Sequence, residues 1–113
     1  MKYFLTESER KRKHSTLYFE FQKGKYRGIC WREDSLCLHA DIFDRLNLFD
    51  LFAKAIPGFD YYYSKNYVTQ EAWAHIKNLA VESGGEVEKL ITELCTWVEE
   101  CFQEEKVFTI CGI

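Results

Sequence analysis

One long amphipathic helix constrains the fold of this chain more than any other feature. Between residues 86 and 103, apolar side chains recur at helical spacing and occupy an arc of about 140° on a helical wheel. This apolar stripe contains Val87, Leu90, Ile91, Leu94, Trp97, Val98, Cys101 and Phe102. Because a stripe of this width has to be buried against another layer of structure, we expect the helix to lie on a sheet.

Capping signals predict two further helices. Asp41 is a suitable N-cap for a helix that ends before Pro57-Gly58. Thr69, with Glu71 in the following turn, is a suitable N-cap for another helix, which ends at Ser83-Gly84-Gly85.

Short β-rich segments account for most of the remaining chain. Aromatic and polar residues alternate over residues 16–21, a pattern typical of a half-buried strand. Further strands are predicted at residues 26–31, 36–39, 59–64 and 106–111, with a short edge strand at 2–5, turns at 22–25 and 32–35, and an exposed loop at 6–14. Residues 1–113 are therefore expected to form a single α+β domain, with a mainly antiparallel sheet of about five strands and about three helices packed on it.

The charge of the chain is divided unequally along its length. Residues 1–32 carry nine Lys and Arg against three Asp and Glu, a balance of +6, whereas residues 33–113 have a balance of −9. A nearly neutral total of −3 therefore conceals two segments of opposite sign. Such asymmetry says little about fold, but it bears on partners and on association rates.

Much of the acidic excess lies on the polar side of the helix at residues 86–103. Glu86, Glu93, Glu100 and Glu104 fall within about 40° of one another on the helical wheel. One interpretation is a solvent-facing acidic surface that receives a cationic partner. The other is an ordinary solvated helix face, balanced in part by the basic N-terminal segment folding nearby.

A run of aromatic residues provides a second candidate for binding. In a strand over residues 59–64, Phe59, Tyr61 and Tyr63 would share the buried face, and Asp60 and Tyr62 would point the other way. An exposed tyrosine beside an acid is typical of an interface anchor. Tyr62 and Asp60 therefore join the four glutamates as predicted partner-binding residues.

The cysteine and histidine residues do not indicate a metal site. Five cysteines with irregular spacing predict reduced thiols that pack as small hydrophobic groups. If residues 32–35 form the turn, Cys30 lies opposite Cys37, His39 shares the face of Cys37, and Cys111 is a fourth candidate ligand. This spacing differs from that of zinc ligands, so we expect no metal and no cofactor.

No catalytic motif is present, so a non-enzymatic role is expected. The basic block Arg10-Lys11-Arg12-Lys13 lacks a neighbouring aromatic stacking platform, which argues against a nucleic-acid partner. No apolar stretch approaches the ~20 residues of a membrane span, and no secretory signal is evident, so a cytoplasmic protein without a membrane partner is expected.

The overall organisation resembles that of small immunity proteins of bacterial polymorphic-toxin systems, including contact-dependent growth inhibition. The resemblance rests on the helix start Tyr67-Val68-Thr69-Gln70-Glu71-Ala72-Trp73, the acidic helix at residues 86–105 and the C-terminal Ile110-Cys111-Gly112-Ile113. It implies a protein that binds one cognate toxin, often a nuclease, and blocks its active site or a nearby surface. The basic block at residues 10–13 departs from a uniformly acidic inhibitor.

A second class of function is compatible with the same pattern. A small-molecule-binding or regulatory module would place a pocket between the aromatic face of the sheet and the helices. An exposed acidic surface would favour the protein inhibitor, and a deep apolar cavity with converging polar groups would favour the small-molecule module.

Overall fold

The computed structural model describes residues 1–113, which form one five-stranded sheet and five helices. In chain order, the elements are β1 (Phe4–Thr6), α1 (Glu7–Arg12), β2 (Tyr18–Lys23), β3 (Leu36–His39), α2 (Ala40–Arg45), α3 (Leu48–Ala55), β4 (Lys65–Thr69), α4 (Gln70–Ser83), α5 (Gly85–Glu104) and β5 (Val107–Cys111). The strand order is β1-β3-β2-β5-β4, and every neighbouring pair is antiparallel. The predicted α+β class and antiparallel sheet are confirmed, although there are five helices rather than three.

One of the additional helices, α1, occupies the segment predicted as an exposed loop. The Thr6 hydroxyl accepts a hydrogen bond from the Glu9 backbone N–H, and the Glu9 carboxylate accepts one from the Thr6 N–H. This reciprocal capping box satisfies two backbone donors that a helix start otherwise leaves free. The loop prediction was wrong because it followed the basic residues and overlooked this Thr-x-x-Glu signal.

The other additional helix arises because the helix predicted after Asp41 is broken in two. Asn47 adopts a left-handed conformation with φ of 51°, which interrupts the helical backbone between α2 and α3. The N-cap of α2 is His39 rather than Asp41, since His39 Nδ1 accepts the Asp41 N–H at 3.0 Å. The expected end before Pro57 and the Thr69 N-cap of α4 are confirmed.

Two predicted strands are absent. Residues 26–31 belong to a long irregular loop, in which Gly28 and Trp31 have φ values of 88° and 60°. Residues 59–64 also form a loop, and the strand of this region, β4, begins at Lys65. Positive φ values are incompatible with a continuous strand, and the residue types of these two segments do not disclose them.

The apolar core lies between one face of the sheet and the helices. Phe19 of β2 stacks on Phe43 of α2 with ring centroids 4.0 Å apart, and Phe108 of β5 meets Trp97 of α5 at 5.7 Å. Leu90, Leu94, Trp97 and Cys101 of α5 are buried in this core, which confirms the predicted packing direction of the helix. No helix combines the length and the apolar character needed to cross a bilayer.

The opposite face of the sheet is covered by α1 and by the loop at residues 24–35. Glu20 of β2 lies beneath this loop, and its Oε2 accepts hydrogen bonds from the Arg32 N–H at 2.8 Å and the Ser35 hydroxyl at 2.7 Å. The Arg10 guanidinium of α1 lies 3.8 Å from the centre of the Trp31 ring. This second interior layer is therefore polar, in contrast to the aromatic core on the other face.

Candidate functional site

The acidic helix face is only partly available to a partner, because Glu93 is held within the molecule. Its carboxylate accepts hydrogen bonds from the backbone N–H groups of Lys2, Tyr3 and Phe4 at 2.7 to 2.9 Å. The expectation that Glu93 faces solvent was therefore wrong. Its carboxylate fastens the N-terminal segment to α5.

Glu86 is also engaged by neighbouring side chains. Its carboxylate accepts a hydrogen bond from Arg45 Nη1 at 2.7 Å and another from the Tyr3 hydroxyl at 3.2 Å. The hydrogen bond from Arg45 is the main reason that the pKa of Glu86 lies below its usual value. The N-terminal half of the acidic face thus serves the fold of this chain.

The C-terminal half of the same face remains exposed but is partly neutralised. Glu100 and Glu104 are both exposed, and Lys23 Nζ lies 3.8 Å from the Glu100 carboxylate. Nearby, Arg27 Nη2 lies 2.9 Å from the carboxylate of Glu105. Both cations come from the basic first 32 residues, which supports the interpretation that the two charged segments balance each other.

The more exposed feature is a loop at residues 59–64, termed the tyrosine loop. Phe59 is buried in the core and Tyr61 is half-buried, whereas Tyr62 and Tyr63 are 61% and 87% exposed. The expected exposure of Tyr62 is confirmed. The expected burial of Tyr63 was wrong, because its φ of 54° takes the chain out of strand geometry.

Local hydrogen bonds centred on Asp60 shape the tyrosine loop. The Asp60 carboxylate accepts from the Tyr62 N–H at 2.9 Å and from the Ser64 hydroxyl at 2.8 Å. These two bonds lower the pKa of Asp60, with the backbone bond as the larger cause. The backbone N–H and C=O of Asp60 are both bound by the Asn66 side chain, each at 2.9 Å.

The C-terminus holds the tyrosine loop from the other side. Ile113 donates its N–H to the Tyr61 carbonyl and accepts the Tyr63 N–H, both at 2.9 Å, and the Gly112 N–H donates to the Ser64 carbonyl at 2.8 Å. The backbone of the loop is therefore held in place by hydrogen bonds to residues 112 and 113. Tyr62 and Tyr63 project from a backbone that is bonded at both ends.

Acidic groups adjoin these tyrosines. The Tyr61 hydroxyl donates to the Asp44 carboxylate at 3.0 Å. Burial, assisted by this bond, raises the pKa of Tyr61 to about 12. Neither Asp44 nor Asp60 pairs with a cation, as the ion pairs of the chain involve other acids. The tyrosine loop and these two carboxylates form an aromatic and acidic patch.

The six predicted site residues do not form one surface. Asp60 and Tyr62 lie in the tyrosine loop, and Glu86 is near this region because its partner Arg45 adjoins Asp44 in α2. Glu100 and Glu104 follow on the same helix, about 20 to 27 Å further along its axis. A partner would have to span this distance to contact both groups.

The cysteines and His39 are separated by the fold. Cys30 is exposed in the loop at residues 24–35, whereas Cys37 and Cys111 are buried on strands either side of Glu20. Burial raises the pKa of Cys37 and of Cys111 to about 12. No group of three His, Cys, Asp or Glu side chains is arranged to hold a metal ion.

Sequence reasoning missed the buried polar row on β2. Glu20 and Gln22 are 2% and 0% exposed, and one oxygen of each side chain accepts no hydrogen bond from the chain. Alternation over residues 16–21 is the usual sign of a solvated face, and nothing local indicates that a loop folds back over these side chains.

The space between the aromatic sheet face and the helices is filled by side chains. Phe21 of β2 packs against Phe4 and Phe108 in this layer, at centroid separations of 5.3 and 6.2 Å. Open grooves are found at the surface instead, and one of about 420 Å³ lies beside β4, between the end of α3 and the start of α4.

Comparisons of the chain with protein families, with characterised proteins and with solved structures found no match.

Proposed function

We propose that this chain is a non-catalytic protein-binding protein of the immunity type, which neutralises a cognate toxin. The observation that carries the proposal is the tyrosine loop, where Tyr62 and Tyr63 are exposed on a backbone bonded to Asn66 and to the C-terminus. A loop that is already ordered loses little conformational entropy on binding, so its aromatic side chains can act as efficient anchors.

The chemistry of the patch favours a basic protein surface as its partner. Tyrosine combines a large apolar ring with a hydroxyl, and this combination is enriched at protein interfaces. Asp60 and Asp44 provide carboxylates that take part in none of the ion pairs of the chain. A toxin domain with a basic active-site surface, such as a nuclease, has the complementary charge.

The exposed end of α5 has a separate role in this proposal. Glu100 and Glu104 would attract a basic partner from a distance, whereas Glu86 and Glu93 maintain the fold. Long-range attraction between exposed charges is sensitive to salt, because the Debye length falls from ~10 Å at 0.1 M to ~3 Å at 1 M.

The test is to isolate the partner and to measure binding kinetics at these two salt concentrations. A pull-down from the source organism, together with any secreted protein that proves to be encoded next to this chain, supplies the candidate partners. We expect Tyr62→Ala and Tyr63→Ala to raise the dissociation rate at least about tenfold, as interface anchors do. Combined Glu100→Gln and Glu104→Gln should lower the association rate at low salt and leave it unchanged at high salt.

The control is Val81→Ala, which removes another exposed apolar side chain, 62% accessible and located on α4. This variant should bind like the parent. A tight partner whose kinetics ignore both tyrosine substitutions would refute the proposed surface. Recovery of a small-molecule ligand without any protein partner would favour the alternative, a ligand-binding or regulatory module.

A further inference from the structure

The strand β4 lies at one edge of the sheet, and its outer side has backbone groups without partners. The Gly24 N–H donates a hydrogen bond to the Val107 carbonyl, so the backbone of Val107 faces β2. Because this direction alternates along a strand, the odd-numbered residues of β5 direct their backbone N–H and C=O groups toward β2, and the even-numbered residues direct theirs toward β4. In β4, these partners are Asn66 and Val68, opposite Ile110 and Phe108. The odd-numbered residues Lys65, Tyr67 and Thr69 therefore direct their N–H groups outward.

No hydrogen bond within the chain engages these outward groups. None of the backbone hydrogen bonds outside the helices and strand ladders involves residues 65 to 69. Tyr67 and Thr69 are exposed, and the Lys65 ammonium is turned away to lie 4.6 Å from the centre of the Tyr26 ring. An edge of this kind can pair with an added strand.

The other edge of the sheet is closed by contrast. The strand β1 has only three residues, and α1 follows it directly. The Glu93 carboxylate occupies the N–H groups of Lys2, Tyr3 and Phe4. Short strands and covered backbone groups are the usual means of protecting an edge, so the open edge at β4 differs from its counterpart.

The surroundings of β4 indicate what could pair with it. Asp60 is bonded to Asn66 near the first residue of the strand, and Glu71 follows its last residue and lines the groove of about 420 Å³. Neither carboxylate belongs to an ion pair. One unpaired negative charge thus lies near each end of β4, and the apolar side chains of Ile56 and Ala72 line the groove beside the strand.

We infer that the open edge of β4 binds an extended basic segment of the partner protein as an additional strand. The inference rests on the proposed function and specifies how the partner is held. Backbone N–H and C=O groups of Lys65 and Tyr67 would pair with the segment, its cationic side chains would meet Asp60 and Glu71, and its apolar ones would enter the groove. The tyrosine loop, which leads directly into β4, would extend the same interface.

A second copy of this chain is a poorer occupant of the edge. Antiparallel pairing of two β4 strands would bring the Asp60 end of one copy to the Glu71 end of the other. Four unpaired carboxylates would then face one another in pairs, and like charges placed directly opposite are destabilising.

The experiment uses a synthetic peptide of alternating lysine and valine residues with blocked termini. Amide hydrogen exchange of the full chain is measured by NMR with and without the peptide. We expect exchange at Tyr67 and Thr69 to slow by roughly tenfold at saturation. Asn66 and Val68 serve as internal controls, because their N–H groups already face β5 and should change little. A matched peptide of alternating glutamate and valine should give less protection.

Two variants separate backbone pairing from side-chain contact. Tyr67→Pro removes the outward N–H, a substitution that an edge strand can accommodate, while Tyr67→Thr removes the ring and keeps the N–H. We expect Tyr67→Pro to lose the peptide effect and Tyr67→Thr to retain it. If Tyr67→Pro lowers the thermal midpoint, the exchange measurement on the unaltered chain still decides whether the peptide pairs with β4.

The inference is overturned if no amide of β4 is protected, if even- and odd-numbered amides are protected alike, or if the glutamate peptide acts as strongly as the lysine peptide. A toxin that depends on Tyr62 and Tyr63 but leaves residues 65, 67 and 69 unprotected would overturn the edge proposal and leave the proposed function intact. Protection of these residues in a toxin complex would support both.

Discussion

Tyr61 contributes both to the core and to the proposed binding surface, which its neighbours in sequence do not indicate. Tyr61 joins the tyrosine loop to α2 through one hydrogen bond to Asp44, while its ring packs against Phe19 at 5.0 Å and Phe43 at 5.6 Å. Its ring belongs to the core and its hydroxyl to the acidic patch. The side chain thus connects the stable interior to the proposed binding surface.

The first prediction concerns the ionisation of Tyr61. Its pKa is raised from 10.0 to about 12, so the folded state retains the phenol proton that the unfolded chain releases. Raising the pH from 10 to 12 should therefore reduce the stability, whereas below pH 10 this group contributes no pH dependence. Tyr61→Phe should remove one late-ionising tyrosine from a tyrosinate absorbance titration. A late phase of unchanged amplitude in this variant would contradict the assignment.

The cysteines differ in burial and therefore in the ionisation of their thiols. Desolvation favours the neutral thiol of Cys37 and Cys111, which suits their positions beside the buried Glu20. Cys30 is exposed, and its Sγ lies 3.7 Å from the Tyr26 hydroxyl. The sequence predicted reduced thiols, but it placed Cys30 opposite Cys37 in a hairpin that does not form.

At the scale of elements, α5 acts as a scaffold on both its faces. Its apolar stripe packs in the core. On its acidic side, Glu93 accepts hydrogen bonds from the N-terminal segment, and the ammonium of Lys23 lies near Glu100. Carboxylates on one face of this helix therefore have two different roles: Glu93 binds backbone N–H groups of the chain, and Glu100 stays exposed near a lysine. Helical periodicity places these residues together, and only the approach of other segments distinguishes them.

The second prediction concerns this difference between two glutamates on one helix. Glu93→Gln replaces one carboxylate oxygen by a donor that faces backbone N–H groups, so we expect a loss of about 1 to 3 kcal/mol in the free energy of unfolding. Glu100→Gln is the matched control and should have little effect, since its nearest cation is 3.8 Å away at an exposed site. Denaturant titrations compare the two, and equal midpoints would reject the structural role of Glu93.

Over the fold as a whole, the last residues of the chain meet a loop from its middle. The last two residues are bonded to the tyrosine loop about 50 residues earlier, and Gly112 packs so closely that a Cβ atom there would lie 2.6 Å from the Tyr61 carbonyl oxygen. The C-terminal residues therefore determine the position of the proposed anchors. Chain topology makes this possible by placing β5 beside β4.

The third prediction uses this contact. Gly112→Ala should push the tyrosine loop away from β5, and we expect a stability loss of about 1 to 3 kcal/mol together with faster proteolysis at residues 60 to 64. Thr96→Ala, at an exposed position on α5, is a control that should change neither property. Unaltered proteolysis of Gly112→Ala would show that the C-terminus does not restrain the loop.

Those parts of the fold that depend on neighbours in sequence could be predicted. The stripe of α5, the Thr69 cap and the strand at residues 36–39 are local patterns, and each reappears in the structure. The helix α1 was also locally encoded, in the Thr6 and Glu9 capping box, but the prediction gave more weight to its basic residues. Local patterns suffice here because capping and amphipathic periodicity involve residues within a few positions of one another.

The candidate site, by contrast, was decided by tertiary structure. The sequence correctly marked Tyr62 for exposure, yet it could not show that Glu93 binds Lys2 across 91 positions or that Ile113 restrains Tyr63. Nor could it show that β4 is an edge strand, because strand order depends on pairings between distant segments. Composition and spacing determine which faces of an element are apolar or charged. The free energy of packing the whole chain determines which of those faces are covered and which remain open to a partner.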